Sequence, residues 1–271
     1  MKRNLLSSPR LLEFKKQKRK VFLTKVVASP FIFSALFIGL AYVARIPSSN
    51  INAIEILGNK VLDTEILEAA ARAEITENYL WFLPKSNVLL YPKSSIKRTL
   101  LNKFKRIKEV EVTLKNKQTL QISISERTPS YTWCGNVIPE THINEKCYFL
   151  DDAGFIFDQA PYFSGEVYFK FYGSLENFEK LVSLKNTLEA MKLKPVALYT
   201  KEDGDVKIFL STTSESRPEI LLTSNADFEK VAENLQTALD TEPLKSNFKN
   251  KYSSLEYIDL RFGNKVYYKF R

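Results

Sequence analysis

The strongest constraint on this chain is an uncharged run near its start. Val26 to Ala44, VVASPFIFSALFIGLAYVA, holds 19 residues without a charge between Lys25 and Arg45. At a helical rise of ~1.5 Å per residue it reaches ~28 Å, enough to cross a bilayer core. Lipid offers backbone N–H and C=O groups no partner, so such a segment must be helical. Pro30 falls in the first turn and a half of the run, where a missing N–H costs least. Ahead of it, residues 1–25 carry nine Lys or Arg (Lys2, Arg3, Arg10, Lys15, Lys16, Lys18, Arg19, Lys20, Lys25) against the single acid Glu13. The positive-inside rule keeps that end cytoplasmic. The expectation is a basic tail over 1–25, a transmembrane helix over 26–45 and folded chain on the far side of the plasma membrane. A cleaved signal peptide would use Gly39-Leu40-Ala41, but its leader and apolar core would both be shorter, so an uncleaved anchor is expected.

Removing those nine cations and one anion from the totals of 40 basic and 31 acidic residues leaves 31 against 30. The net charge of +9 therefore belongs to the tail. A nucleic-acid surface needs its cations on the folded domain, which argues against nucleic acid as a partner. The tail instead favours anionic lipid, at ~1 kcal/mol per basic residue near the surface.

Two cysteines occur, Cys134 and Cys147, both beyond the membrane span, where disulfides persist. A bridge between them would close a short loop and stabilise the fold by ~3 kcal/mol. A metal site would need the only histidine, His142, which lies between them. That gives three ligands where zinc takes four, so a disulfide and no metal is the reading.

Beyond Arg45, IPSSN reads as a linker, and Ile54-Glu55-Ile56-Leu57 as a strand stopped at Gly58-Asn59. Asp63 then caps a helix to about Arg72 with Ile66 and Ala70 on one face. A second helix follows Pro92, capped by Ser94 or Ser95, with Ile96, Leu100, Leu101 and Phe104 at helical spacing. Ile107–Lys115 and Thr119–Glu126 alternate with a period of two and are joined at Asn116-Lys117-Gln118. The order strand, helix, helix, strand, strand makes one small domain over 51–127, with helices on one face of a sheet. Val110 and Val112 should face the helix bearing Leu100.

From Thr128 to Arg271 the chain reads as a second domain with a mixed or antiparallel sheet and flanking helices. Short strands are expected at Tyr131–Cys134, Cys147–Leu150, Phe155–Phe157 and Val167–Phe171, and a turn at Asp151-Asp152-Ala153-Gly154. Helical spacing covers Leu175–Leu193 and Ala226–Leu239, and further strands fall near Val196–Tyr199, Val206–Leu210 and Glu219–Leu222. Leu255–Phe262 and Lys265–Phe270 close the chain.

One histidine leaves little from which to build a catalytic triad, and eight scattered glycines form no phosphate-cradling loop. Asp151 and Asp152 read as turn residues rather than a glycosidase pair, and Asp203, Asp205 and Glu215 as loop acids. Nothing here demands an enzyme, a cofactor or a small-molecule substrate.

INAIEILGNKVL after the span, RIKEVEVTLKNKQTLQISISERTPSYTW with its Glu-Arg-x-Pro step into aromatics, YFLDDAGFIF and SLEYIDLRFGNKVYYKF occur in that order. Together they resemble the FtsQ/DivIB family of bacterial cell-division proteins. The resemblance implies an α+β chain: a transmembrane helix, a polypeptide-transport-associated (POTRA) domain of β-α-α-β-β order, and a C-terminal β-domain. It also implies a non-enzymatic divisome scaffold at the septum whose partners are bitopic proteins of the FtsB, FtsL and DivIC type. A membrane-tethered envelope enzyme or wall-binding protein with only a POTRA-like domain is the alternative.

The last strand should be a sheet edge to which a partner adds a strand, with Val266, Tyr268 and Phe270 on one face and Lys265, Tyr267 and Lys269 on the other. Lysines also protect bare edges from aggregation, which is the plainer use of Lys265 and Lys269. By resemblance, partner contacts fall on Arg261, Phe262, Asn264 and Phe270, with Lys265 and Tyr267 beside them. Similar proteins carry a Tyr and a Trp where this chain has Phe262 and Phe270, so apolar contact is kept and two hydrogen-bonding groups are not. Arg261 has two expected uses, a partner carboxylate or Asp259 of its own chain.

Overall fold

The computed structural model describes residues 9–80, 82–139, 145–212 and 217–271. The chain is an α+β protein with an apolar N-terminal helix and a large mixed sheet. It divides into two compact units, Met1–Glu126 and Arg127–Arg271.

The first unit opens on α1, Pro9–Ala44, so helix begins inside the basic segment rather than at Val26. Within it, Glu13–Ala44 is the one described helix long and apolar enough to cross a bilayer, a test that a signal sequence also passes. Pro30 is thus an interior proline of a longer helix, which lipid-spanning helices tolerate. The expected linker is not free chain. Pro47–Ser49 form a 3-10 turn, and Ile51 is buried.

Next come β1 (Ala53–Leu57), α2 (Thr64–Thr76), a short hairpin of β2 (Asn78–Tyr79) and β3 (Leu83–Pro84), α3 (Lys93–Lys103), β4 (Ile107–Leu114) and β5 (Thr119–Glu126). The main sheet runs β1-β5-β4, with β5 parallel to β1 and antiparallel to β4. Asp63 caps α2 by accepting from the Glu65 and Ile66 amides. Leu67, Ala71 and Ile75 of α2 meet Ile96 and Leu100 of α3, Val110 and Val112 of β4 and Ile122 of β5 in one core. Ile66, expected inside, is exposed; the buried stripe starts one residue later, at Leu67. Neither Ser94 nor Ser95 caps α3. Ser95 instead donates to Glu74 of α2 at 2.6 Å, as Thr99 does at 2.8 Å, and the two hydroxyls hold that carboxyl below its usual pKa.

At the end of β5, Glu126 gathers the chain that follows β1. Its carboxylate accepts from the Lys60, Val61 and Leu62 amides at 2.8–3.1 Å. Just before them, Gly58 has φ +86°, and a Cβ there would lie 2.2 Å from the Ile124 carbonyl oxygen, so no other residue fits.

The second unit holds β6 (Tyr131–Trp133), β7 (Tyr148–Leu150), β8 (Ile156–Gln159), β9 (Lys170–Gly173), α4 (Phe178–Ala190), β10 (Pro195–Thr200), β11 (Asp205–Leu210), β12 (Glu219–Thr223), α5 (Phe228–Leu239), α6 (Leu244–Lys251), β13 (Leu255–Phe262) and β14 (Lys265–Phe270). These strands form one nine-stranded sheet in the order β14-β13-β12-β11-β10-β9-β6-β7-β8. It is mixed: β6 with β9, β9 with β10 and β12 with β13 are parallel, and the rest antiparallel. Phe178, Leu181, Leu184 and Leu188 of α4 join Val231 and Leu235 of α5 over Leu198, Ile208, Ile220 and Ile258 of the sheet. Helix α6 is additional to the sequence expectation; its apolar spacing is too sparse to signal it, with Leu244 its only buried residue.

Cys134, just after β6, is bonded to Cys147, just before β7, with S–S 2.02 Å. Thiol labelling of the denatured, unreduced chain should find no free thiol. Cys134→Ser should cost about 3 kcal/mol, the loop-closure entropy of a 13-residue separation, read as a lower melting temperature. His142 lies outside the described residues.

Candidate interaction edge

Strand β14 ends the nine-stranded sheet, so one side of its backbone has no strand partner among the described residues. It is reached from β13 through a two-residue turn, Gly263-Asn264, across which Phe262 pairs with Lys265. Gly263 has φ +64°, the conformation that the first position of a tight hairpin turn requires. The β13–β14 register slips twice, and each slip adds a residue to β13, leaving β14 itself regular.

That regularity fixes which amides point where. Lys265, flanking a two-residue turn, bonds toward β13, and at the far end the Arg271 amide donates to Ser254 O at 2.8 Å. Alternation then turns the amides of Lys265, Tyr267 and Lys269 toward β13, and those of Val266, Tyr268 and Phe270 away from the sheet. The side chains alternate too. Val266, Tyr268 and Phe270 are half-buried against the core under the helices, whereas Lys265, Tyr267 and Lys269 are exposed.

The exposed side carries a compact aromatic patch. Phe262 is 57% and Tyr267 48% exposed, and their rings meet edge to face at 5.3 Å. Arg261 lies beside this pair but is committed within the chain. Its Nε and one terminal nitrogen donate to the two Asp259 oxygens at 2.9 and 2.7 Å, and the other terminal nitrogen to Asp205 at 2.7 Å. Of its two expected uses, the structure shows the internal one. Asp205, expected as a loop acid, is instead the first residue of β11 and takes this bond because β11 and β13 flank β12, which spacing along the chain does not reveal. Phe262, Lys265 and Tyr267 are thus grouped with Asn264 at the turn. Phe270 sits at the other end of the strand, half-buried and edge to face with Tyr268 at 5.9 Å. Lys269 pairs with Glu256 at 2.7 Å.

Burial works to raise the Asp259 carboxyl, but hydrogen bonds from the Arg261 side chain and backbone, with its charge, win and hold it below the usual carboxylate range. A lowered folded-state pKa stabilises above the unfolded value of ~4 and loses that contribution as pH falls through the folded value. Glu126 is lowered in the same sense by three backbone amides, against burial. The melting temperature should therefore drop from about pH 5 downward, and Asp259→Asn should make that acid slope shallower.

Elsewhere, Asp151 is buried and accepts from the Ala153 and Phe155 amides at 3.0 and 2.8 Å while pairing with Arg127. It organises the turn between β7 and β8. Glu145, beside the disulfide, binds Lys170 Nζ and Tyr172 Oη, both at 2.6 Å; burial first, then Glu145, pushes the tyrosine hydroxyl up. Cys134 and Cys147 lie close enough to Glu145 to resemble a metal cluster, but their sulfurs are spent on each other. A groove of about 950 Å³ runs between α4 and α5, lined by Lys180, Thr187, Phe228 and Gln236 among others.

No protein-family model matches the chain, and no curated protein matches it. The functional reading therefore rests on the edge, the patch and the sequence motifs.

Proposed function

We propose that the chain is a bitopic, non-enzymatic scaffold of the FtsQ/DivIB type, holding bacterial division proteins together on the outer side of the plasma membrane. In this reading α1 is the membrane anchor, the strand-helix-helix-strand-strand unit is a POTRA domain, and the second unit is the partner-binding β-domain. The observation that carries it is β14: a regular edge strand with three amides facing away from the sheet and an exposed Phe262–Tyr267 pair beside them. Such an edge suits a partner that adds a strand, main-chain bonds giving affinity and the aromatic patch choosing the side chain. The partners are small bitopic proteins of the FtsB, FtsL and DivIC type.

A photocrosslinking residue at Lys265 in the full, membrane-inserted chain tests this reading. It should trap short bitopic proteins, and the same residue at Lys180, in the groove between α4 and α5, should not. Capture from Lys180 alone would move the interface to the groove. The groove is also what a membrane-tethered enzyme or wall-binding protein would use. Turnover or retention of peptidoglycan by the chain, abolished by Thr187→Arg, would favour that alternative.

A further inference from the structure

The segment between α2 and α3 is clasped to the end of α1. Asn87, itself buried, donates from Nδ2 to Ala44 O at 3.1 Å, and Asn50 Nδ2 reaches the same oxygen at 3.0 Å. The Ile51 amide donates to Ser86 O at 2.8 Å and the Val88 amide to Ser49 O at 3.0 Å. Higher on the hairpin, Arg45 Nε donates to Phe82 O at 3.2 Å. The Phe82 ring meets Phe37 of α1 edge to face at 4.7 Å.

That last contact sets a depth. Phe37 precedes Ala44 by seven residues, or ~10 Å of helix, so Phe82 lies beside the apolar run and not beyond its end. On the same segment Leu80 is 74% and Leu89 89% exposed, and Leu90 is partly so. Leu80 holds φ +47°, a left-handed conformation that glycine or asparagine would adopt at lower cost. Backbone that enters lipid must satisfy its own polar groups. Part of the hairpin's backbone is paired in this way: β2 pairs with β3, the Phe82 amide donates to Tyr79 O, the Lys85 amide donates to Glu77 O, and Phe82 O takes the Arg45 bond.

We infer that residues 79–80 and 82–90 form a second membrane contact, dipping Leu80, Phe82 and Leu89 into the headgroup and outer acyl region of the bilayer that α1 crosses. The occupant of this apolar surface is lipid, because the surface is continuous with the flank of the apolar helix. Single exposed leucines on a soluble surface need no partner, but these lie on a segment held to a membrane-length helix, by Phe82 below its end and by Asn87 at it. The inference rests on reading α1 as a membrane span.

The test uses the full chain in vesicles of phosphatidylethanolamine and phosphatidylglycerol, with single cysteines carrying an environment-sensitive fluorophore. The native cysteines are bonded to each other, so only the introduced thiol reacts under non-reducing conditions. Leu80→Cys and Leu89→Cys report on the segment, Phe33→Cys on the span, and Glu65→Cys, in the first turn of α2, on the water-facing domain. All four positions are exposed, so the labels leave the core intact. Lipids carrying a shallow spin label should quench the Leu80 and Leu89 probes several-fold more than the Glu65 probe. Deep-label lipids should quench Phe33 most. Quenching at Phe33 with Leu80 and Leu89 no different from Glu65 overturns the membrane contact and leaves the span standing. No quenching at Phe33 removes the span, and the contact with it.

Discussion

Val112→Asp should leave the first unit unfolded while the second melts normally. Val112 is 1% exposed in β4, paired across the ladder with Ile122 and sharing a core with Leu100. A carboxylate there has no hydrogen-bond donor among these apolar side chains, and burying it costs several kcal/mol. A small domain has roughly 5–15 kcal/mol in total, so the unit should lose its cooperative transition. Glu111→Lys, one residue away and pointing to the exposed face, is the control and should shift the transition little. Calorimetry or circular dichroism on the two variants decides it. An unchanged melt for Val112→Asp would mean that β4 is out of register by one residue.

Partner capture should be abolished by Tyr268→Pro without unfolding, and Tyr267→Pro should unfold the sheet edge. Proline removes one amide hydrogen, and on an edge strand the consequence depends on which way that hydrogen points. Tyr268 points its amide away from the sheet, so the β13–β14 ladder survives and only an added strand loses its bond. Tyr267 pairs with Asp259 on β13, and its amide belongs to the internal ladder. Loss of that bond next to the Asp259–Arg261–Asp205 network should cost a few kcal/mol and loosen the aromatic patch. The readout is crosslinking yield from Lys265 beside a melting curve for each variant. If Tyr268→Pro keeps its fold and still crosslinks at full yield, the partner does not add to β14.

The sequence was most legible where local chemistry decides structure. The alternation of Thr119–Glu126 and Lys265–Phe270 marks both strands to the residue, and Asp63 caps α2 because a carboxylate can reach two amides wherever such a helix begins. It was least legible where the partner of a side chain comes from far along the chain. Ser95 has the composition of a cap but serves Glu74, twenty-one residues earlier, across a helix pair. The β2–β3 hairpin is only two residues on each side, too short for periodicity to register, and the clasp on Ala44 is made by Asn50 and Asn87, 37 residues apart and linked by no spacing rule. At the candidate edge, the face of each β14 residue followed from the period of two. The commitment of Arg261 to Asp205 did not, because it depends on strand order across the sheet.

The Glu-Arg step at positions 126 and 127 has a practical corollary for dividing the molecule. Glu126 gathers three amides of the first unit, and Arg127 neutralises Asp151, buried at the β7–β8 turn of the second. Severing the chain between these two residues leaves each half with its own clasp. Severing it even two residues later hands Arg127 to the wrong half and strands a buried carboxylate without its cation, a loss of several kcal/mol that would pass for instability of the second unit itself.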